Sequence, residues 1–238
     1  MDKPESPTTP WDDALEQKLA SLGELLPAVF MRMRPALIEE TLVFWPANAI
    51  GRLRLVRRDG ALLFVTQGLG YRFNDLHADQ PEPLRYELGI QLRADEPVDA
   101  QADDGRTFAD LEGADLANTW PVRLLWFLAD TFVYERWPLR AKLERFGMMT
   151  TVAAPQPELP EHVTPQGFLG LLVGVPLDGQ ADDTLPDDSR LVMLQLLRPE
   201  EYDWVVAVPD PSRCQDLLRR LQADGWPAIS SAKRPPLV

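Results

Sequence analysis

Apolar residues near the start of the chain recur at the spacing of an amphipathic helix. They fall at positions i, i+4, i+7 and i+11, which are Leu15, Leu19, Leu22 and Leu26. Thr9 is a suitable N-cap, and Pro10 is tolerated in a first turn, where its missing N–H has no partner to lose. Because proline is not compatible with a helix interior, we expect this helix to end at Pro27.

The region from Ala49 to Gly70 alternates polar and apolar residues and predicts a β-hairpin. In Arg52–Leu55 the two leucines would face a core and the two arginines would face water. Both residues of Asp59–Gly60 tolerate positive φ, so this pair predicts the turn. The return strand, Ala61–Gln67, begins with a continuous apolar run, which is typical of a central strand. The stretch Leu84–Arg93 alternates again and predicts a third strand.

The second half of the chain mixes helices and strands. A helix from about Asn118 or Thr119 to Tyr134 is apolar around most of its circumference, with only Arg123 and Asp130 on a narrow polar stripe, so we expect it to be largely buried. Further strands are predicted at Phe146–Val152, Phe168–Val175 and Arg190–Leu197, while Glu200–Val208 fits no pattern clearly. A last helix is predicted from Asp210 as N-cap to Gly225 as C-terminal cap.

The order of these elements favours an α+β fold over a Rossmann-type alternation of strands and helices. We expect one domain with a mixed or antiparallel sheet and packed helices, spanning residues 11–226. Residues 1–10 and 227–238, which are rich in proline, are expected to be flexible tails. The predicted core comprises Leu53, Leu55, Phe64, Val65, Leu88, Ile90, Leu125, Leu128, Met193 and Leu217.

The composition is that of a folded globular protein. Of the 238 residues, 45% are hydrophobic and 26% charged, and seven Trp, nine Phe and four Tyr supply ample core material. A single Cys excludes a disulfide framework within the chain and a cysteine-based zinc site. The longest uncharged stretch, Val163–Leu177, is shorter than the ~20 apolar residues of a spanning helix. With no secretory signal in residues 1–11, we expect a cytoplasmic protein that does not enter a membrane.

The net charge of −13 is concentrated in two segments. Residues 94–115 hold eight acids against one base, and residues 178–188 hold five acids and no base, so the rest of the chain is nearly neutral. One interpretation is that both segments are solvated loops. The other is that they lie on one side and form an acidic surface that steers a basic protein partner. The acidic balance argues against nucleic-acid binding, which needs a basic patch.

On the second interpretation, candidate partner-binding residues can be named. The acidic candidates are Asp95, Glu96, Asp103, Asp104, Asp182, Asp183, Asp187 and Asp188. Anchoring contacts would come from nearby aromatic side chains, with Tyr71, Phe73 and Trp137 as candidates.

Residues with catalytic chemistry are sparse. The only histidines are His77 and His162, and no nucleophile elbow or phosphate-binding loop occurs. Neither histidine has further ligands at a metal-binding spacing, and Cys214 lies on an apolar helical stripe typical of a core residue. We therefore expect no catalytic residues, no metal and no cofactor. The alternative is an enzyme of unrecognised type, such as a hydrolase, that uses His77 or His162 with nearby carboxylates.

Five segments together resemble the Suppressor of fused-like domain family. They are the hallmark strand and turn Leu63–Gly70, the strand Tyr86–Leu92, the helix Trp120–Ala129 with its Trp-Pro-x-x-Leu-Leu pattern, the strand Gly167–Leu172 and the closing element Leu194–Glu201. Their order and spacing agree over residues 42–225. Two positions depart from the pattern, because Gly70 replaces a usual Ser and Phe146–Met148 replaces a Gly-His.

The resemblance implies a single α+β domain that binds other proteins and carries no catalytic residues. In animals the related protein restrains a transcription factor by gripping a short peptide. Bacterial relatives are found beside polymorphic toxins and are inferred to be immunity proteins. This chain has the compact length of the bacterial group, so a toxin-neutralising immunity protein is the first expectation. An adaptor within a secretion system is a further alternative.

Overall fold

The computed structural model describes residues 10–30, 52–69, 85–99, 105–112, 115–134, 136–177, 184–226 and 228–238. These residues form one mixed sheet with helices on both faces. The strands are β1 (Glu24–Phe30), β2 (Arg52–Arg58), β3 (Ala61–Gln67), β4 (Tyr86–Arg93), β5 (Met149–Ala153), β6 (Leu169–Val175), β7 (Arg190–Leu196) and β8 (Ile229–Ser230). The α-helices are α1 (Pro10–Ala20), α2 (Trp120–Tyr134), α3 (Arg136–Phe146), α4 (Pro199–Val206) and α5 (Ser212–Ala223).

The strand order is β1-β2-β3-β4-β7-β6-β5, and the short β8 also pairs with β4. Strand β4 runs parallel to β7 and β8, while the other neighbours are antiparallel. The predicted hairpin turn is confirmed, with φ values of 45° at Asp59 and 74° at Gly60. A mixed sheet within one domain confirms the expected α+β class.

Each face of the sheet has its own hydrophobic core, because side chains alternate along every strand. Residues such as Leu53, Phe64 and Ile90 pack against α2 and α3. Their neighbours in sequence, such as Val65 and Met193, pack against α1, α4 and α5. All ten predicted core residues are buried, with at most 2% of their surface exposed, so this prediction is confirmed.

The predicted course of the N-terminal region is partly wrong. Helix α1 begins at Pro10 as expected but ends at Ala20, and Pro27 lies inside strand β1. The β1–β2 register shifts between Leu26 and Val29, and proline is tolerated at such an irregularity on an edge strand. Arg54 does not face water either: its side chain is 12% exposed and pairs with Glu16 of α1, which covers this face.

Two helices were not predicted. Helix α3 lies where no element was predicted, except that its last residue, Phe146, was expected to begin a strand, and α4 occupies the ambiguous segment 200–208. The sequence pattern of α4 was unclear because the helix has only eight residues, of which only Glu201 and Val205 are buried. A stripe this short gives almost no periodic signal.

The C-terminal segment is not a free tail, contrary to our expectation for residues 227–238. Residues 229 and 230 add strand β8 to β4, and the side chains of Ser230, Ser231, Ala232 and Arg234 are buried. The prolines that suggested a tail, Pro235 and Pro236, are exposed, but Leu237 after them packs against the core. At the other end, residues 1–9 lie outside the described part of the chain.

Candidate interaction surface

Glu96 is not an exposed partner-binding acid. Its side chain is 5% exposed and accepts hydrogen bonds from Ser231 Oγ at 2.9 Å and from the backbone N–H of Ala232 at 2.7 Å. Burial of a carboxylate is tolerated when such donors replace water. The prediction for Glu96 is therefore wrong, and the residue instead holds the C-terminal segment.

The described acids of the two segments lie near opposite ends of the sheet. Strands β4 and β7 run parallel with Tyr86 opposite Arg190, so the two strands begin at the same end. The first segment follows the last residue of β4, whereas the second leads into the first residue of β7. The eight residues of β4 span roughly 23 Å at ~3.3 Å per residue. Asp95 and Asp188 thus lie at opposite ends, and the hypothesis of one joint acidic surface is wrong for them.

Asp95 lies at the rim of an open groove of about 660 Å³ at the carboxyl end of β4. The groove is lined by Asp59, Arg93, Asp95, Asp224, Trp226 and Ile229, among others. Asp95 is exposed and pairs with Arg93 at 3.1 Å. A partly neutralised, solvated carboxylate of this kind contributes little binding free energy by itself.

Most of the remaining candidate binding residues lie outside the part of the chain that the structure describes. Asp103, Asp104, Asp182, Asp183, Tyr71, Phe73 and His77 lie outside the described residues. Trp137 lies in α3 and Asp187 in the short 3-10 helix Pro186–Asp188, but their side chains are not among those described. Asp188 is exposed, as predicted for a loop acid.

His162 is not placed for catalysis. Its side chain is completely buried, with Nδ1 at 2.9 Å from the carbonyl oxygen of Leu197 and Nε2 at 3.2 Å from that of Ala232. Burial lowers the pKa of His162, and the charges of Arg198 and Arg234 lower it further, against the two hydrogen bonds. Both ring nitrogens lie against backbone carbonyl oxygens in the protein interior, so neither is accessible to a substrate.

The described residues offer neither a metal-binding cluster nor an exposed thiol. Among the described side chains, no group of three or more His, Cys, Asp or Glu is arranged to hold a metal ion. Cys214 is buried in the core as predicted, and burial raises the pKa of its thiol. In the described ranges, no helix has the length and apolar character needed to cross a membrane.

Strand β5 forms an edge of the sheet. Within the described residues it pairs with β6 on one side only, and no strand adds to its other side. Val152 of β5 is 39% exposed, while Thr150 and Thr151 are half-buried. An exposed strand edge offers alternating N–H and C=O groups that an extended peptide can pair with.

An apolar surface adjoins this edge, built around Tyr202 of α4. Gly170 of β6 leaves room for Tyr202, because a Cβ atom there would lie only 2.5 Å from the tyrosine ring. Val152 lies directly opposite Gly170 in the β5–β6 ladder, so it projects toward the same face as Tyr202. Phe168 packs edge-on against Tyr202 with ring centroids 5.3 Å apart, and burial raises the pKa of Tyr202, as does Asp203.

Val206 extends this surface along α4. It follows Tyr202 by four residues, which places both on one face of the helix, and it is 45% exposed. We call Val152, Phe168, Tyr202 and Val206 the edge patch. Sequence reasoning missed it, because Val152 and Tyr202 are brought to the same face only by the sheet register and the packing of α4.

Sequence reasoning also missed the buried charges. Glu201 and Arg234 form an ion pair in which both side chains are completely inaccessible to solvent. Glu87 is likewise buried and accepts hydrogen bonds from Thr66 Oγ1 at 2.6 Å and from the backbone N–H of Gly68 at 2.9 Å. The alternation Tyr86–Arg93 placed Glu87 on the face opposite the apolar residues, but no local pattern indicates that this face is covered too.

Comparisons with known proteins do not assign a family. No protein-family description matches the chain, and no curated protein matches it either.

Proposed function

We propose that this chain is a non-catalytic protein-binding domain that takes an extended segment of its partner along the outer edge of β5. The observation that carries the proposal is the edge patch beside β5, an edge strand whose outer side has no strand paired to it among the described residues. The strand edge supplies main-chain hydrogen bonds, and the patch supplies apolar contacts for alternate side chains of the added strand. Such a division between affinity and specificity is typical of β-strand addition.

The edge patch has the chemistry of a protein-interaction surface. Tyrosine is enriched among residues that dominate binding energy, since it offers a large apolar area and a hydroxyl donor at low entropic cost. The Tyr202 ring packs between the Phe168 ring and the backbone of Gly170. A side chain fixed before binding loses little conformational freedom when the partner arrives.

The partner we propose is a basic toxin domain, with this chain as the immunity protein that neutralises it in the cytoplasm. The resemblance to Suppressor of fused-like domains supports the immunity role. The net charge of −13 supports a basic partner, because long-range attraction between opposite net charges accelerates association. The engaged histidine, His162, gives no support to the alternative of an enzyme built on that residue.

The test measures binding between the full-length chain and the protein encoded beside its gene. Val152→Asp and Val206→Asp each place a charge in the edge patch and should weaken binding at least tenfold, because a buried unpaired carboxylate is strongly disfavoured. In cells, the same variants should lose protection against that protein.

Phe127→Asp is the matched control. Phe127 is as exposed as Val152, at 39%, but lies on α2, which packs on the opposite face of the sheet. It should bind within twofold of the parent. Equal binding by all three variants, with circular dichroism unchanged, would refute the docking site, and the absence of any interaction with the neighbouring protein would refute the toxin partner.

A further inference from the structure

The C-terminal segment lies on the domain in the manner of a bound peptide. Ile229 and Ser230 join the sheet, in parallel beside β4, and the backbone then bends at Ala232 and Lys233. Its buried side chains are mainly polar and small, and the largest, Arg234, is completely inaccessible to solvent. We call its surroundings, formed by β4, β7, α4 and Glu96, the C-terminal cleft.

The cleft recognises the segment through specific polar groups at successive positions. Gln195 Nε2 donates to the carbonyl of Ile229 at 2.7 Å, and the backbone N–H of Leu196 donates to Ser230 Oγ at 2.9 Å. Glu96 then accepts from Ser231 Oγ and from the N–H of Ala232.

A second acid completes the recognition three positions further on. The Glu201 carboxylate accepts hydrogen bonds from both terminal nitrogens of Arg234, and the guanidinium also donates to the carbonyl of Leu196 at 3.1 Å. The backbone N–H of Leu237 donates to the same carboxylate at 3.1 Å. Bidentate pairing of this kind selects arginine over lysine, whose single ammonium cannot reproduce the fork.

These contacts differ from ordinary core packing in one respect. If the segment leaves, Glu96 and Glu201 lose buried donors, and a ligand that excludes water from the cleft must supply equivalent donors in the same positions. The cleft is therefore selective for a peptide pattern rather than for apolar area.

We propose that the C-terminal cleft is a peptide-binding site for a segment carrying a hydroxyl residue and, three positions later, an arginine. The chain's own Ser231 and Arg234 fill these positions in the structure, and a segment supplied by another protein fills them when it displaces the C-terminus. This site is separate from the edge patch and does not rest on the proposed function.

The test uses the full-length Arg234→Met chain, whose own segment has lost its main contact. A synthetic peptide of residues 228–238 should bind it and raise its melting temperature in a concentration-dependent way, because a ligand that binds only the folded state stabilises it. A peptide with Arg234→Met should bind roughly 100-fold more weakly, since it leaves Glu201 unpaired. A peptide with Lys233→Met is the matched control and should bind like the parent, because Lys233 is exposed.

A second measurement covers the case in which the Arg234→Met chain does not fold. A protease site replaces Pro227, and the chain is cut after folding. The fragment should stay bound at micromolar concentration and exchange with labelled parent peptide, with the same order of peptide affinities. Failure of the parent peptide to bind in either format, or equal binding by the Arg234→Met peptide, would overturn the proposal.

Discussion

The buried Glu201–Arg234 pair gives the sharpest prediction about stability. Both side chains are completely buried, and Arg234 joins the C-terminal segment to α4. In Arg234→Met, the apolar volume is largely kept but the Glu201 carboxylate loses its counter-charge. Removing one partner of a buried ion pair destabilises proteins by about 3–5 kcal/mol.

The structure places the expected value within this range. Glu201 keeps two neutral donors, the backbone N–H groups of Arg198 at 2.9 Å and Leu237 at 3.1 Å, which favours the lower end. The carbonyl of Leu196 loses its bond from Arg234, and a buried carbonyl left without a partner adds about 1 kcal/mol. We expect the free energy of unfolding to fall by about 4 kcal/mol.

The assay is urea unfolding at pH 7, followed by tryptophan fluorescence, with the free energy taken from linear extrapolation. The double variant Glu201→Gln with Arg234→Met should recover at least half of the loss, because no charge then remains buried. Glu161→Gln is the control: it breaks the ion pair of Arg198 with the largely exposed Glu161 and should change stability by less than about 1 kcal/mol. A loss below about 1 kcal/mol in Arg234→Met, or a double variant as unstable as the single one, would refute the reasoning.

Three further predictions follow from the core, the buried histidine and the edge patch. Phe64→Ala should destabilise the protein by about 3–5 kcal/mol in the same urea assay, whereas Phe127→Ala, on an exposed position, should stay within about 0.5 kcal/mol. Burial lowers the pKa of His162 below its unfolded value of about 6.5, so below that pH the unfolded chain binds more protons than the folded one. The free energy of unfolding should therefore decrease as the pH falls below about 6.5. In His162→Gln, this part of the pH dependence of stability should be lost between about pH 7.5 and 5.5. Gly170→Ala should lower the melting temperature, with a loss of about 1–3 kcal/mol, because its Cβ meets the Tyr202 ring; an unchanged melting temperature would contradict the packing described for the edge patch.

The local pattern of the sequence determined most of the elements and the core. Residue alternation and turn chemistry were sufficient to predict β2, β3 and the hairpin that joins them. The apolar stripes were sufficient to predict the start of α1 and the positions of α2 and α5. These signals are local because burial imposes a period of about two residues on a strand and about 3.6 on a helix. Short or irregular elements such as α4, and β1 with its proline, carry too few periods to be recognised.

The tertiary structure alone decided which polar residues are buried and which surfaces lie together. Glu96 looked like one more acid of a solvated loop, yet it binds Ser231, which is 135 positions away in the chain. Arg234 looked like part of a tail, yet it meets Glu201 across 33 positions. Such pairings depend on the parallel placement of β4, β7 and β8, and nothing within a window of a few residues encodes which strands become neighbours. The same placement puts Asp95 and Asp188 at opposite ends of the sheet, because Asp95 follows β4, Asp188 precedes β7, and these parallel strands begin at the same end.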